Sequence, residues 1–383
     1  MARTADVEVL IVGAGPVGLM LTCLLRRRGI SCAVVDRRTG IDLRPRAITL
    51  HRTAIDLFAG LGLLEALLRV SIPMDRISFH AQDGREFVGR LAGQGGIVDG
   101  YLNTLQPSYQ ALLLEEARRL GAEVRLGAEV VGLAPSEHSV RAFLGSPRGG
   151  QIMDAAFAVA ADGATSTVRR LLNVEMEGKG PTRSYVLLEG DPVLAPPEGE
   201  TGLYVGDAGM VTLAPLPAGK VRIAGPADEG LRIERGDEIS AASAAALIDR
   251  LGFGQRLLLA RADRVTHYTV RQQVASRFDH GRVLLAGDAA HLNAPAGGQG
   301  VNLGFGDAEA LAWRIEAALG AYDAGLFGSY DDEQRHLAAS TIEQADVFPI
   351  VQAIREHSTL SDRHAQALLD QRAIAWTQHR AAA

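Results

Sequence analysis

The chain has 383 residues, 47% of them apolar and 22% charged, with a formal net charge of −6. That balance belongs to a globular protein of roughly two domains; it excludes a disordered tail and the basic footprint that nucleic-acid binding needs. Cys23 and Cys32, the two cysteines, fall in apolar segments without metal-ligand spacing and read as buried thiols of a reducing compartment.

The apolar run Val7–Leu25 is broken by Glu8, Gly13, Gly15, Pro16 and Gly18, so it is neither a signal peptide nor a membrane span. A cytoplasmic protein with no membrane partner is expected. Residues 7–12 read as a buried strand, 16–28 as a helix ended by Gly29, and 31–36 as the next strand. Strand, helix and strand in that order make a βαβ unit and hence a parallel sheet. Leu57, Leu61, Leu64 and Leu68 recur at helical spacing and predict one helix over roughly 50–70. A second amphipathic helix is expected over 110–120, followed by strands at 122–126, 129–133 and 152–161. After about residue 175 the segments 183–190, 202–205, 209–214, 220–225 and 264–273 are short or alternating, with Pro and Gly turns between them. Those are the marks of an antiparallel or mixed sheet. Residues 282–286 return to the buried parallel style and lead through a glycine-rich loop to a helix at about 307–319, and the last 50 residues read as helical.

Three motifs sit on this frame. Gly13-Ala-Gly15-Pro16-Val-Gly18 follows a strand and opens a helix, where one glycine makes the turn, one admits a pyrophosphate and one lets helix and strand pack closely. The helix N-terminus then faces the phosphates. Asp36, at the end of the next strand, is placed to accept from a ribose diol and would repel a 2′-phosphate, which favours FAD or NAD over NADP as resident ligand. Ala161-Asp162-Gly163-Ala-Thr-Ser166-Thr-Val-Arg169 reads by itself as a turn and a helix N-cap. Gly287-Asp288-Ala-Ala-His291 places an Asp at a strand's C-terminal end. The following Pro295-Ala-Gly-Gly298-Gln-Gly300-Val301-Asn302 bares backbone N–H groups near a helix N-terminus, a place that stabilises negative charge, as on a reduced flavin.

Taken in this order, the three motifs resemble those of the FAD-dependent aromatic hydroxylases, single-component flavoprotein monooxygenases with the para-hydroxybenzoate hydroxylase fold. The resemblance covers about 1–335, since Tyr330-Asp-Asp-Glu333-Gln-Arg335 is similar to that family's helix motif after the flavin loop. It implies an α/β fold: a Rossmann-like FAD-binding domain (1–72, 106–175 and 276–330) interrupted by a mixed β-sheet substrate domain. The excursion 73–105 and the sheet 176–275 would belong to that substrate domain, with C-terminal helices over 331–383. It further implies that Gly13, Gly15, Pro16 and Gly18 hold the pyrophosphate and that Asp36 holds the adenosine ribose. Of Arg37 and Arg38, which follow Asp36, Arg37 is the candidate for the adenosine, the alternative being a solvated strand end. Arg46 and Gln106 would contact the FAD, and Val130 would offer backbone to the adenine. Asp162 would serve FAD and NADPH, Asp288 the ribityl–phosphate region, and Pro295, Gly298, Gly300, Val301 and Asn302 the isoalloxazine edge. Where the family has Glu, four residues after Gln106, this chain has Gln110.

The activity so implied is hydroxylation of an aromatic or polyketide-like small molecule with NADPH or NADH and O2, through a flavin C4a-hydroperoxide. No metal and no catalytic side chain are assigned. Tyr204, Arg222 and Tyr268 are the candidate substrate contacts on the middle sheet, and the assembly is expected to be a monomer or homodimer. At this length the thioredoxin-like extra domain of some relatives is not expected. Trp313 and Trp376 stand too far apart for the flavin-halogenase tryptophan motif. The alternative is an oxygen-independent reductase of the geranylgeranyl reductase type.

Overall fold

The computed structural model describes residues 5–44, 46–82, 84–91, 98–147, 149–178, 183–206, 209–226, 257–293 and 298–344. The expectation at Pro295 and that of helix beyond residue 344 lie outside these residues. The first strand, Val7–Val12, is central in an eight-stranded sheet, between Cys32–Asp36 on one side and Gln151–Ala160 on the other. Glu123–Leu126 continues the sheet beyond Cys32–Asp36, and Val283–Leu285 lies beyond Gln151–Ala160. These five strands are parallel. Val9, Leu10 and Ile11 are fully buried, as strands covered on both faces require.

The first helix, Pro16–Arg27, turns Leu19, Met20, Leu21, Cys23 and Leu25 fully inward. Each such leucine contributes about 1.5–3 kcal/mol through burial. Proline fits the first turn because no N–H partner is needed there. Past the C-terminus Gly29 takes a positive φ of 78°, while Arg26 donates to the carbonyls of Ile30 and Leu120 and ties this end to its neighbour. Cys23 and Cys32 are free and buried, and burial foremost pushes both thiols up to about 12. Neither is a thiolate at neutral pH.

Three expectations are corrected in detail. The single helix over 50–70 is two, Arg52–Gly60 and Leu64–Arg69, because Gly62 sits at φ 76° between them. The second amphipathic helix begins at Gln106 rather than 110, with Pro107 in its first turn. The helix expected near Asp307 begins at Gln299 and runs to Gly320, so Gly300, Val301 and Asn302 are helical. A strand not anticipated, Val140–Gly145, joins Glu129–Pro135 and Gln151–Ala160 in an antiparallel extension.

The second sheet has seven strands in the order Leu259–Val270, Arg183–Pro192, Val221–Pro226, Gly209–Pro215, Glu200–Gly206, Arg76–Ala81, Glu86–Arg90. All pairs are antiparallel except Glu200–Gly206 with Arg76–Ala81, so the sheet is mixed, as the texture of the sequence requires. Its alternation divides it cleanly. Val186, Leu188, Tyr204, Val211, Leu213 and Ile223 form one apolar face with Leu257 and Leu259. Arg222 and Ala214 lie on the other, against the segment that carries Arg46 and Ile48.

The last described helix, Ala324–Gln344, is bolted to the parallel sheet through Tyr330, whose buried hydroxyl donates to the Leu285 carbonyl at 2.7 Å. Tyr330→Phe should leave that carbonyl unsatisfied and lower stability by about 1–2 kcal/mol. Urea unfolding followed by fluorescence measures it, and an unchanged midpoint would show the bond to be dispensable.

Candidate functional site

The ends of the parallel strands are level. Val12 stands opposite Val35 and Ala160, and Ala160 opposite Leu285. The residues that follow, Gly13, Asp36, Asp162 and Gly287–Asp288, therefore emerge along one carboxyl edge. This edge contains the point where the connections leaving Val7–Val12 and its neighbour Gln151–Ala160 run to opposite sides, the crevice in which open α/β sheets take ligands.

The glycines there are required by contact. A Cβ on Gly13, whose φ is +112°, would lie 2.2 Å from the Ala161 carbonyl oxygen, and one on Gly18 would lie 2.1 Å from the Gly13 oxygen. Gly15 is the helix N-cap and has no side chain to cap it; its nearest such contact is 4.0 Å away. The helix N-terminus is thus left bare toward the crevice, which suits a pyrophosphate.

Asp36 has a structural occupation alongside its expected one. Its two oxygens accept from the N–H groups of Ala14 and Arg38, each at 2.8 Å, so it pins the glycine loop to the second strand. Gln110 pins the same loop from the other side: its amide nitrogen donates to the Ala14 carbonyl at 2.7 Å, and its Oε1 is buried without a partner. An ionised glutamate could not donate there, so glutamine makes this bond at any pH. Gln106 opens the same helix, half-buried.

Asp162 caps the helix Thr167–Leu171 through the N–H groups of Thr167 and Val168, while its Oδ1 is buried without a partner. Ser166 caps the same helix through Arg169 N–H. Arg169, its charge disfavoured by burial, donates to the carbonyls of Ala289 and Ala164 and so joins the second motif to the third. Arg37 is exposed near Thr165 and Glu129. Arg46 leans on Asp42 at 3.4 Å, a carboxylate that Arg44 foremost holds far below the usual range. Val130 is buried opposite Leu144, beside a bulge in the extension.

Asp288 is solvent-exposed, yet protein surrounds it densely enough that burial raises its carboxyl above the usual range, against the pull of His291, Arg46 and Arg169. Exposure and enclosure together describe the floor of a cleft. Behind it, buried Asp307 accepts from Gly287 N–H at 2.7 Å and meets His291 Nε2 at 2.7 Å. Burial opposes a proton on His291, but Asp307 outweighs it and raises the imidazole above its ordinary value.

Gly298 caps the long helix at φ 66°, and a Cβ on it would meet Thr49 at 2.6 Å. Gly300 faces open space and Val301 is half-buried. The Asn302 amide is fully engaged: it accepts from His51 N–H and donates to the carbonyls of Thr49 and Gly298. It thus staples the 49–51 segment to the helix start.

The three substrate candidates separate. Tyr204 lies on the sheet face turned away from the crevice, stacked on His80 at 4.4 Å. Arg222 lies on the facing side, but Glu189 and the Arg46 carbonyl occupy its guanidinium. Tyr268 pairs with Tyr185 in the register of the neighbouring strands. His80, Glu86 and Glu200, also on the far face, bring potential metal-donor atoms within 4.8 Å of one another, a grouping the sequence did not signal. Glu189 and Asp307 were missed as well. The available signal was an acid inside an apolar run, in Val186–Glu189 and again in Leu303–Ala308.

The FAD binding domain family matches residues 6–345. The chain belongs to that family. An aromatic compound monooxygenase of Bacillus subtilis named YhjG, uncharacterized by its own name, is 32% identical over 87% of this chain and 66% of its own length. Rifampicin monooxygenase of Streptomyces venezuelae is 33% identical over 88% of this chain and 70% of its own length. Among solved structures, aklavinone-11 hydroxylase with FAD and aklavinone superposes with a TM-score of 0.76 at 25% identity, covering 96% of this chain and 71% of that one. The p-nitrophenol 4-monooxygenase PnpA of Pseudomonas putida reaches a TM-score of 0.80 at 23% identity over 98% of this chain and 99% of its own, which speaks for the fold. These relatives are named monooxygenases and hydroxylases, which fits an FAD-dependent monooxygenase and not the reductase alternative. No helix among the described residues is long and apolar enough to cross a membrane.

Within this FAD-binding-domain protein, Gly13→Ala is expected to abolish FAD retention, since the new methyl must displace the Ala161 backbone and sits at a φ that L-residues resist. Flavin absorbance after gel filtration reads it. Gln110→Leu removes the donor to Ala14 and should weaken FAD binding about tenfold, as for a lost hydrogen bond of ~1.4 kcal/mol. Titration of apoprotein with FAD measures this, and wild-type affinity would refute the loop-holding role.

Proposed function

We propose that this chain hydroxylates a neutral, extended aromatic or polyketide-like molecule, using FAD, NAD(P)H and O2. One observation carries the reading: four strand ends at one level deliver the bare helix N-terminus, Asp36, Asp162 and Asp288 to a single crevice. That edge fits FAD extended along it. The Gly13–Gly18 loop would take the pyrophosphate and Asp36 the ribose. Arg37 and Val130 would lie beside the adenosine, and Arg46, Gln106 and Asp162 along the middle of the cofactor. Asp288 would hold the ribityl end and Gly298–Asn302 the ring edge. The chemistry that bound FAD supplies is hydride acceptance from NAD(P)H and activation of O2 for transfer of one oxygen atom, the other leaving as water. The chain's own groups bind, orient and exclude water. The helix start at Gly298 also offers bare N–H groups to an anionic ring.

The substrate would lie between the crevice and the facing side of the second sheet. The domain partition follows from this: 1–72, 106–175 and 276–330 bind the cofactor, and 73–105 with 176–275 form the substrate domain. Arg222 is neutralised by Glu189 and so offers no free charge to an acidic substrate, which supports a neutral one. Relatives named for rifampicin and for anhydrotetracycline set the size scale. A cytoplasmic monomer or homodimer accords with this chemistry.

The purified protein should be yellow and release FAD, not FMN, on heating. NAD(P)H oxidation by the holoenzyme should consume O2 and accelerate with a neutral polycyclic phenol more than with a salicylate-like acid. NAD(P)H consumption without O2 uptake would overturn the oxygenase reading. A preference for the acid would overturn only the substrate class.

A further inference from the structure

The turn Gly287–Ala289, which carries Asp288, is held from several sides. Arg169 donates to the Ala289 carbonyl, and Ala275 N–H donates to the Ala290 carbonyl at 2.7 Å. From beneath, Asp307 on the long helix approaches with a single oxygen, Oδ2, that serves both Gly287 N–H and His291 Nε2, each at 2.7 Å. Asp307 and His291 are each 1% exposed. The long helix comes this close because Gly304 has no side chain: a Cβ there would meet Val17 at 2.4 Å and the Gly287 Cα at 3.3 Å.

We propose that Asp307 is a positioning residue of the flavin site, whose Oδ2 fixes Gly287 and His291 together and thereby sets where Asp288 stands in the cleft. The inference rests on the FAD reading above and deepens it. A main-chain donor and an imidazole sharing one buried acceptor restrict the turn at both ends of its five residues. Asp288, between them, has no such freedom left in its backbone. Asp307 touches neither cofactor nor substrate; it acts through the turn.

The groups that bear on this pair are few. Asp288 stands on the same turn, where the positive charges of Arg46 and Arg169 act on it from the loop and the short helix, and the charge of Asp307 acts on the Tyr330 hydroxyl of the last helix. His291 is raised above its ordinary value, so its charged bond to Asp307 is fully present below the ordinary imidazole value. That contribution is lost as pH rises through the raised value. FAD retention by the wild-type protein should weaken over that same upward range.

Asp307→Asn separates geometry from charge. Its amide oxygen still accepts from Gly287 N–H and from a neutral imidazole, but no longer favours the imidazolium. The holoprotein should fold and bind FAD about three- to tenfold more weakly near neutral pH. The pH at which retention begins to fall should move down, toward the ordinary imidazole value. Asp307→Ala, which breaks both bonds, should accelerate amide exchange in a peptide spanning 285–291 of the holoprotein and leave the 13–18 peptide protected. A D307N pH profile superimposable on wild type, or unchanged exchange at 285–291 in D307A, overturns the proposal. A wild-type protein that retains no FAD overturns the flavin reading itself, an outcome distinct from either.

Discussion

The close approach of Gly13 to the backbone of Ala161 is the constraint on which the rest of the crevice depends. Two parallel strands end side by side, and the loop leaving one passes within contact of the loop leaving the other. A side chain at Gly13 would force the loops apart, move the Pro16–Arg27 helix off the sheet and break the level of the strand ends. The same economy recurs at Gly18 against Gly13 and at Gly304 against Val17 and Gly287. Three close contacts around the crevice are thus made backbone to backbone or nearly so. A long, flat ligand can then touch main-chain N–H groups along its length.

Much of this was legible in the sequence because burial on both faces leaves a simple pattern. Val9–Val12 and Cys32–Val35 are uninterrupted apolar runs, and period and punctuation locate their strands to within a residue. The second sheet was legible by its alternation and its turns. The helix starts were not. Gln299–Asn302 reads as loop because Gly300 and Asn302 have poor helix propensity. What makes the segment helical is tertiary: Asn302 spends its amide on the carbonyls of Gly298 and Thr49 and the N–H of His51, a partner 251 positions away. Likewise Gly62 breaks the 50–70 helix at a positive φ, which leucine spacing alone does not register.

The candidate site was legible as a set of positions more than as a set of roles. Asp36, Asp162 and Asn302 were chosen for ligand contacts, and each already holds a loop or caps a helix. At the two aspartates the roles are compatible, because a carboxylate has about four acceptor directions and the loop bonds use two; the Asn302 amide is spent on the loop. The motif residues therefore combine shaping the crevice with facing it. Tyr204 was misplaced for a different reason: with a side-chain period of two, a strand's residues reveal that two faces exist, but not which one meets the partner domain. Only the register of Tyr204 with Val211, and of Ala214 with Arg222, decides it.

Arg222 and Glu189 show how the facing sheet and the crevice constrain one another. A buried ion pair seldom adds net stability over apolar residues of the same shape, although removing one partner alone costs ~3–5 kcal/mol. Its value here is positional. Arg222 reaches past Glu189 to the Arg46 carbonyl, and Arg264 reaches the Leu43 carbonyl from the neighbouring strand. The segment that carries Arg44 and Arg46 is thereby tied to the second sheet, while Asn302 ties the 49–51 segment to the long helix. The connection between the two sheets is thus clamped at both ends. Replacing Arg222 by a neutral residue would release one clamp and leave Glu189 buried and uncompensated on this face of the sheet. The paired side chains together carry no net charge, so the arginine acts on this face as a clamp and not as a free cation.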